Sequence, residues 1–122
     1  LHDALPIYCD RGWLRRLYSF AVHPTITFFF KVPLETALNR ILAGRPKLKY
    51  HEAGMDLNLS EDIVESFRIF QGRINEEYHK LVEEYNMLVI DASQPVEKQQ
   101  EQVRRIIAEK IDLSRYKWRP FK

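Results

Sequence analysis

Four stretches of the chain carry apolar residues at three- and four-residue steps, the period of an amphipathic helix. The first is WLRRLYSFAV, in which Arg15 and Arg16 face outward and after which Pro24 ends the helix. Its predicted buried face consists of Trp13, Leu14, Leu17, Phe20 and Ala21. The second begins with Pro33 in its first turn and is closed by Gly44 as a C-cap. Its buried face consists of Leu34, Ala37, Leu38, Ile41 and Leu42.

The third predicted helix is the longest. Ser60 is expected to cap it, and Gly72 interrupts it at a cost of about 1 kcal/mol relative to alanine, which indicates close packing there. Its apolar face consists of Ile63, Phe67, Phe70, Ile74, Tyr78, Leu81 and Tyr85. The fourth helix starts near Pro95. Its predicted buried face consists of Val103, Ile106, Ile107 and Ile111.

Two short runs have the composition of buried strands. TITFFFKV, residues 25–32, is rich in β-branched and aromatic residues, and its continuous apolar run is typical of a parallel strand covered on both faces. MLVID, residues 87–91, has the same character. Strand and helix alternate, which predicts an α/β fold with a parallel sheet. Because two buried strands are too few for a stable sheet, we expect the missing strands to lie upstream, so that the chain is the C-terminal half of its domain.

The first seven residues are expected to be foreign to the protein. Residues 1–7 can be encoded by CTA CAC GAC GCT CTT CCG ATC, which resembles the end of a widely used sequencing adapter. The next base of that adapter is T, and Tyr8 is encoded only by codons that begin with T. We therefore set residues 1–7 aside as non-native. Residues 8–111 are assigned to the domain and residues 112–122 to a basic, aromatic tail.

The composition, with 45% hydrophobic and 30% charged residues, is that of a soluble globular protein. A formal net charge of +2 is too small to favour a nucleic-acid partner, and the longest apolar run is too short to cross a membrane. Cys9 is the only cysteine, so no internal disulfide can form and a cytoplasmic location is expected. The histidines show no metal-ligand spacing, and we predict no metal ligands in this chain. A catalytic pair of His51 and Glu52 is conceivable, although ordinary loop polarity is the simpler interpretation.

Residues 44–60 follow neither a helix nor a strand period and are predicted to form a long mobile loop. Long loops in compact domains are usually functional. Arg40 and Arg45 flank Gly44, and the planar guanidinium group is suited to paired hydrogen bonds with phosphate. The alternative is a solvated basic surface, which composition alone favours.

The second candidate site is the turn DASQP, which follows the second strand. Ligands of open α/β sheets bind at the carboxyl ends of the strands, so backbone groups of this turn and Ser93 could hold a base or a ribose. A plain helix cap made by Asp91 or Ser93 is the alternative, and it is favoured when only these residues are considered.

Three stretches together resemble the C-terminal half of the thymidylate kinases: PTITFFFKVPLETALNRILAGR, LKYHEAGMDLNLSEDIVESFRIFQGRINEEYHKLVEEY and MLVIDASQPVEKQQEQV. The resemblance extends from about residue 13 to residue 111, and the order and spacing of the pieces are specific although no single piece is. Lys31 in FKVP stands where the family usually has DVP. The lid AGRPKLKYHEAGMDLNLS is longer than in the commonest members and is similar to that of an archaeal or thymidylate-kinase-like branch. Asp10 and Arg11 resemble the family's DR motif, but they lie too close to the strand and are interpreted as the loop before the first helix.

The resemblance implies a P-loop nucleoside monophosphate kinase of three layers, which transfers the γ-phosphoryl group of ATP to dTMP with Mg²⁺ and forms a homodimer. It implies that Arg45 is a catalytic lid arginine acting on the transferring phosphoryl group. It also implies ATP contacts for Arg40, Asp91, Ala92 and Ser93, of which the last three lie along the adenine. The P-loop, the Mg²⁺ ligands and the main dTMP contacts would lie upstream, so the chain alone is predicted to be inactive.

Two other interpretations stay open. Another P-loop phosphotransferase with a different acceptor has the same architecture, and the acceptor pocket would lie outside this chain. A non-catalytic module could instead bind nucleic acid through the basic loop and the tail RYKWRPFK. The small net charge argues against the binding module.

Overall fold

The computed structural model describes residues 10–116, without the side chain of Tyr116. In chain order the elements are α1 (Arg11–Leu17), β1 (Phe28–Lys31), α2 (Leu34–Gly44), α3 (Ile63–Glu84), β2 (Leu88–Asp91) and α4 (Val96–Lys110). Short 3₁₀ turns lie at Met55–Leu57 and at Leu113–Tyr116. The predicted α/β fold, with four helices and two parallel strands in this part of the chain, is confirmed. The proposed adapter segment and the end of the basic tail lie outside the described residues.

The two strands form a parallel sheet in which Phe28 pairs with Leu88 and Lys31 pairs with Asp91. Parallel neighbours require a crossover connection, which α2, α3 and the loop between them supply. Beyond the last pair, the Ala92 N–H donates to the Lys31 carbonyl oxygen at 2.8 Å. The start of α2 and the turn before α4 therefore meet at the same edge of the sheet.

The main core lies between α2, the loop that follows it and α3. Its fully buried members are Leu38, Leu48, Ala53 and Phe67. Two of them, Leu48 and Ala53, belong to the segment predicted to be a mobile loop. The Ser66 hydroxyl of α3 donates to the Ala53 carbonyl oxygen at 2.6 Å, which fixes the loop to the helix. The middle of the loop is thus packed on α3, and its mobility in solution remains a prediction.

The sheet is less covered within this chain than the strand composition predicts. Phe30 and Val89 are 49% and 46% exposed. Because neighbouring residues of a strand point to opposite faces, both faces of the sheet are partly open. Phe29 is covered, since its ring stacks on that of Tyr78 in α3 with the centroids 5.2 Å apart. Burial against this ring and its surroundings raises the pKa of the Tyr78 hydroxyl.

Helix α1 is shorter than predicted and contacts α3 through charge. It ends at Leu17, and the next turns close with bonds to the third residue back, so Phe20 falls outside the helix and is 82% exposed. The predicted buried face of this helix is therefore wrong for this chain, since Trp13, Leu17 and Ala21 are exposed as well. The arginines of α1 pair with glutamates of α3, as Arg11–Glu77 and Arg15–Glu84.

Three local predictions about helix ends need correction. Gly44 is the last residue of α2 and does not form a left-handed cap. The helix ends because Arg45 becomes extended (φ −158°, ψ 150°), the conformation favoured before Pro46. Asp62, and not Ser60, caps α3 by accepting the Glu65 N–H at 2.7 Å, and the Ser60 hydroxyl oxygen accepts the Asp62 N–H at 3.2 Å. No side chain of Asp91 or Ser93 caps α4, which begins after Pro95.

Candidate nucleotide site

Arg40 of α2 reaches across the carboxyl edge of the sheet to the turn after β2. Its Nη1 donates to the Ala92 carbonyl oxygen at 2.7 Å, and its Nη2 donates to the Ser93 carbonyl oxygen at 3.1 Å. The planar fork of a guanidinium is suited to two acceptors side by side. Arg40, Asp91, Ala92 and Ser93, predicted separately from two distant stretches, are thus brought together.

The side chain of Asp91 organises this turn. Its Oδ1 accepts the Ser93 N–H at 2.9 Å and the Ser93 hydroxyl at 2.5 Å, and the Gln94 side-chain amide donates to Oδ2 at 3.3 Å. The hydrogen bond from the Ser93 hydroxyl, with smaller contributions that include the charge of Arg40, lowers the pKa of Asp91. Asp91 therefore caps the turn itself, a common use of aspartate, rather than the helix that follows.

The residues of this turn are accessible and chemically suited to one end of a nucleotide. Asp91, Ser93 and Arg40 are exposed, and Ala92 is half-buried. A flat base can pack on an exposed guanidinium plane, and polar groups of the turn can bind its edge. The position agrees with the rule that ligands of open α/β sheets lie at the carboxyl ends of the strands.

Arg45 lies apart from this turn, in the loop after α2, and is paired with Glu52. The pair joins Arg45 Nη2 to Glu52 Oε1, and the same oxygen accepts the Lys49 N–H at 3.0 Å. The hydrogen bond from Arg45, followed by that from Lys49, lowers the pKa of Glu52. Both side chains are part-buried, with 31% of Arg45 and 26% of Glu52 exposed.

The conceivable His51–Glu52 pair is not formed. The His51 side chain is 84% exposed, and its Nδ1 lies 3.8 Å from Asp56 Oδ1. Glu52 points instead to Arg45, a partner that sequence reasoning did not identify. A separation of seven residues inside an aperiodic loop carries no signal for such a contact.

Away from the turn, a shallow apolar groove of about 270 Å³ lies between the end of α2 and the start of α3. It is lined by five apolar residues and one lysine, namely Leu42, Pro46, Lys47, Leu48, Ile63 and Val64. Among residues 10–116, no three His, Cys, Asp or Glu side chains are grouped to hold a metal ion. Within the same residues, no helix has the length and apolar character needed to cross a membrane.

A parallel strand pair with a helical crossover, and with a polar turn and an arginine at its carboxyl edge, is consistent with part of a P-loop kinase fold. Residues 8–103 match the family model described as thymidylate kinase. The chain belongs to the thymidylate kinase family. The resemblance noted from the sequence is confirmed.

Three relatives show how much of the family's length is present. A probable thymidylate kinase 2 of Saccharolobus solfataricus is 42% identical over 106 residues, which are 86% of this chain and 50% of the relative. A probable thymidylate kinase of Metallosphaera sedula is 29% identical over 73% of this chain and 38% of its own length. The probable thymidylate kinase 1 of S. solfataricus is 26% identical over 84% of this chain and 46% of its own length. The chain spans about half the length of the curated relatives that it matches.

Proposed function

We propose that the full-length protein carrying this chain phosphorylates a nucleoside monophosphate with ATP, converting dTMP to dTDP. The observation that carries the proposal is the double hydrogen bond from Arg40 to the Ala92 and Ser93 carbonyls, at the carboxyl edge of the strands, where open α/β sheets generally bind their ligands. Family membership supports the reaction class, and the similarity to probable thymidylate kinases supports dTMP as the acceptor. A cytoplasmic homodimer completes the proposal.

In this proposal the turn binds the adenosine end of ATP. The Arg40 guanidinium packs on the base, and the backbone and hydroxyl of the turn residues Asp91, Ala92 and Ser93 bind its edge. Arg45 donates hydrogen bonds to the phosphoryl group as its charge is redistributed, which is the main way proteins accelerate such transfers. Mg²⁺, which the family implies, would supply charge neutralisation at the phosphates, and no described residue is assigned to hold it.

The proposal is tested by steady-state kinetics of the full-length protein with Arg40→Met. We expect the KM for ATP to rise by roughly 10-fold, the loss of about 1.4 kcal/mol of binding, while the KM for dTMP stays unchanged. Arg104→Met, which alters an exposed arginine of α4, is the matched control. An equal effect of both variants would contradict the assignment of the turn.

The acceptor is tested separately with dTMP, dUMP, dCMP and dGMP at equal concentration. Preference for dTMP supports the proposal. Preference for another acceptor would keep the assignment as a nucleotide kinase but would contradict dTMP as its substrate. The chain of 122 residues contains no GxxxxGK[ST] motif, so purified alone with ATP, Mg²⁺ and dTMP it should release no detectable ADP. Turnover by the isolated chain would overturn that part of the proposal.

A further inference from the structure

The backbone of Arg45 is held in place by contacts that do not involve its side chain. Its N–H donates to the Ile41 carbonyl oxygen at 3.0 Å, as the last bond of α2. Its extended conformation is the one that Pro46 favours in the preceding residue. What remains to be fixed is the long side chain, which loses rotamer freedom when it is held in one orientation.

Glu52 is itself anchored to α3. Its carbonyl oxygen accepts the Gln71 side-chain amide at 3.0 Å, and the neighbouring Ala53 carbonyl accepts the Ser66 hydroxyl at 2.6 Å. Its Oε1 accepts the Lys49 N–H within the same turn, so the carboxylate is oriented without any help from Arg45. A carboxylate fixed in this way can set the direction of the guanidinium that pairs with it.

We propose that Glu52 is a positioning residue for Arg45, an inference that rests on the proposed role of Arg45 in phosphoryl transfer. The pair uses Nη2, and a guanidinium carries five N–H donors, so donors are left for a phosphate. Because 31% of the Arg45 side chain remains exposed to solvent, an anion can reach its guanidinium group. The side chain is then oriented before the substrate binds, which removes an entropic cost from the reaction.

The test is Glu52→Gln in the full-length kinase. Glutamine keeps an oxygen that can accept the Lys49 N–H, so the turn is retained while the charge that orients Arg45 is lost. We expect kcat to fall by roughly 10-fold while the KM for ATP changes by less than about twofold, the pattern of a misplaced group. Arg45→Lys should lose at least as much, and the double variant should be no worse than Arg45→Lys alone. Glu61→Gln, an exposed carboxylate before α3, is the matched control and should leave kcat unchanged.

A second readout follows Arg45 directly. The side-chain N–H resonances of Arg45 should be sharp in the wild type and broadened in Glu52→Gln, which a purely structural role of Glu52 elsewhere would not produce. If Glu52→Gln fails to fold, Gln71→Ala removes the other tether of residue 52 and should give a smaller loss of kcat of the same kind.

The outcomes separate the two hypotheses. With Arg45→Lys impaired, an unchanged kcat in Glu52→Gln overturns positioning, and a raised kcat overturns it and means that Glu52 competes with the phosphate for Arg45. An unchanged kcat in Arg45→Lys overturns the role of Arg45, and the positioning inference falls with it. Absence of ATP-dependent phosphorylation by the wild type overturns the proposed function itself.

Discussion

Two regions of this chain differ in how completely they are folded upon themselves. The region of α2, its following loop and α3 has a buried core, a buried hydrogen bond from Ser66 and a part-buried one from Gln71. The region of α1 and the sheet leaves large apolar side chains in the open, among them Trp13, Phe20 and Phe30. The first region is locally complete, whereas the second has the surfaces expected of a sheet that continues outside this chain. The candidate ATP turn lies in the less complete region, and Arg45, the proposed lid arginine, lies in the more complete one.

The largest expected effect compares one phenylalanine from each region. Phe67→Ala should lower the free energy of unfolding by about 3–5 kcal/mol, because the ring is 3% exposed and its removal leaves a cavity. Phe30→Ala should cost less than about 1 kcal/mol in this chain, since half of its side chain already contacts water.

Urea unfolding of both variants, in the chain and in the full-length protein, measures the contrast. If the sheet is completed upstream, the cost of Phe30→Ala rises in the full-length protein while that of Phe67→Ala stays constant. Equal costs for Phe30→Ala in both forms would contradict this account of the exposed sheet.

Two glycines, Gly54 in the loop after α2 and Gly72 in α3, provide the second comparison. Gly54 has φ +64°, and a Cβ there would lie 2.7 Å from Phe70 Cγ. Gly54→Ala should therefore destabilise the chain by about 1–2 kcal/mol through the left-handed backbone alone, and further through the clash. At Gly72 an added Cβ meets no described atom within 4 Å, so the close packing predicted there is wrong. Gly72→Ala should stabilise α3 by about 1 kcal/mol. Thermal unfolding of the two variants should therefore show a lower unfolding temperature for Gly54→Ala and a higher one for Gly72→Ala.

A third prediction concerns the attachment of the loop to α3. Ser66→Ala leaves the buried Ala53 carbonyl without its hydrogen bond and should cost about 1–3 kcal/mol. Hydrogen exchange of residues 45–62 should accelerate in this variant if the loop is anchored as described. Ser114→Ala, which removes an exposed hydroxyl bonded to Asp112, should change stability by less than about 0.5 kcal/mol. Rapid exchange of the loop in the wild type would instead support a lid that is mobile throughout.

Periodic sequence patterns predicted the helices and strands of this fold. The contacts that they did not predict are made between distant segments or within the aperiodic loop. The apolar steps of α3 and the dense apolar runs of the strands each reflect one repeating local geometry, so they could be read without the fold. Arg40 and the 91–93 turn could each be singled out, but their contact spans 52 residues and follows from the crossover alone. Leu48 and Ala53 lie in an aperiodic loop, and their burial depends on α3 being beside it. The Arg45–Glu52 pair has the same origin.

The smallest expected effect is the pH dependence contributed by Glu52. Its pKa is lowered in the folded chain, mainly by the hydrogen bond from Arg45, so its ionised form stabilises the fold. That stability is fully present above the ordinary glutamate pKa of about 4.3 and is lost as the pH falls through the lower folded value. Glu52→Gln should therefore flatten the fall of the unfolding temperature between about pH 5 and pH 3, and Glu61→Gln should leave it unchanged. An identical acid profile in Glu52→Gln and the wild type would mean that the pair contributes nothing to the packed region, and Arg45 would then be held by its backbone alone.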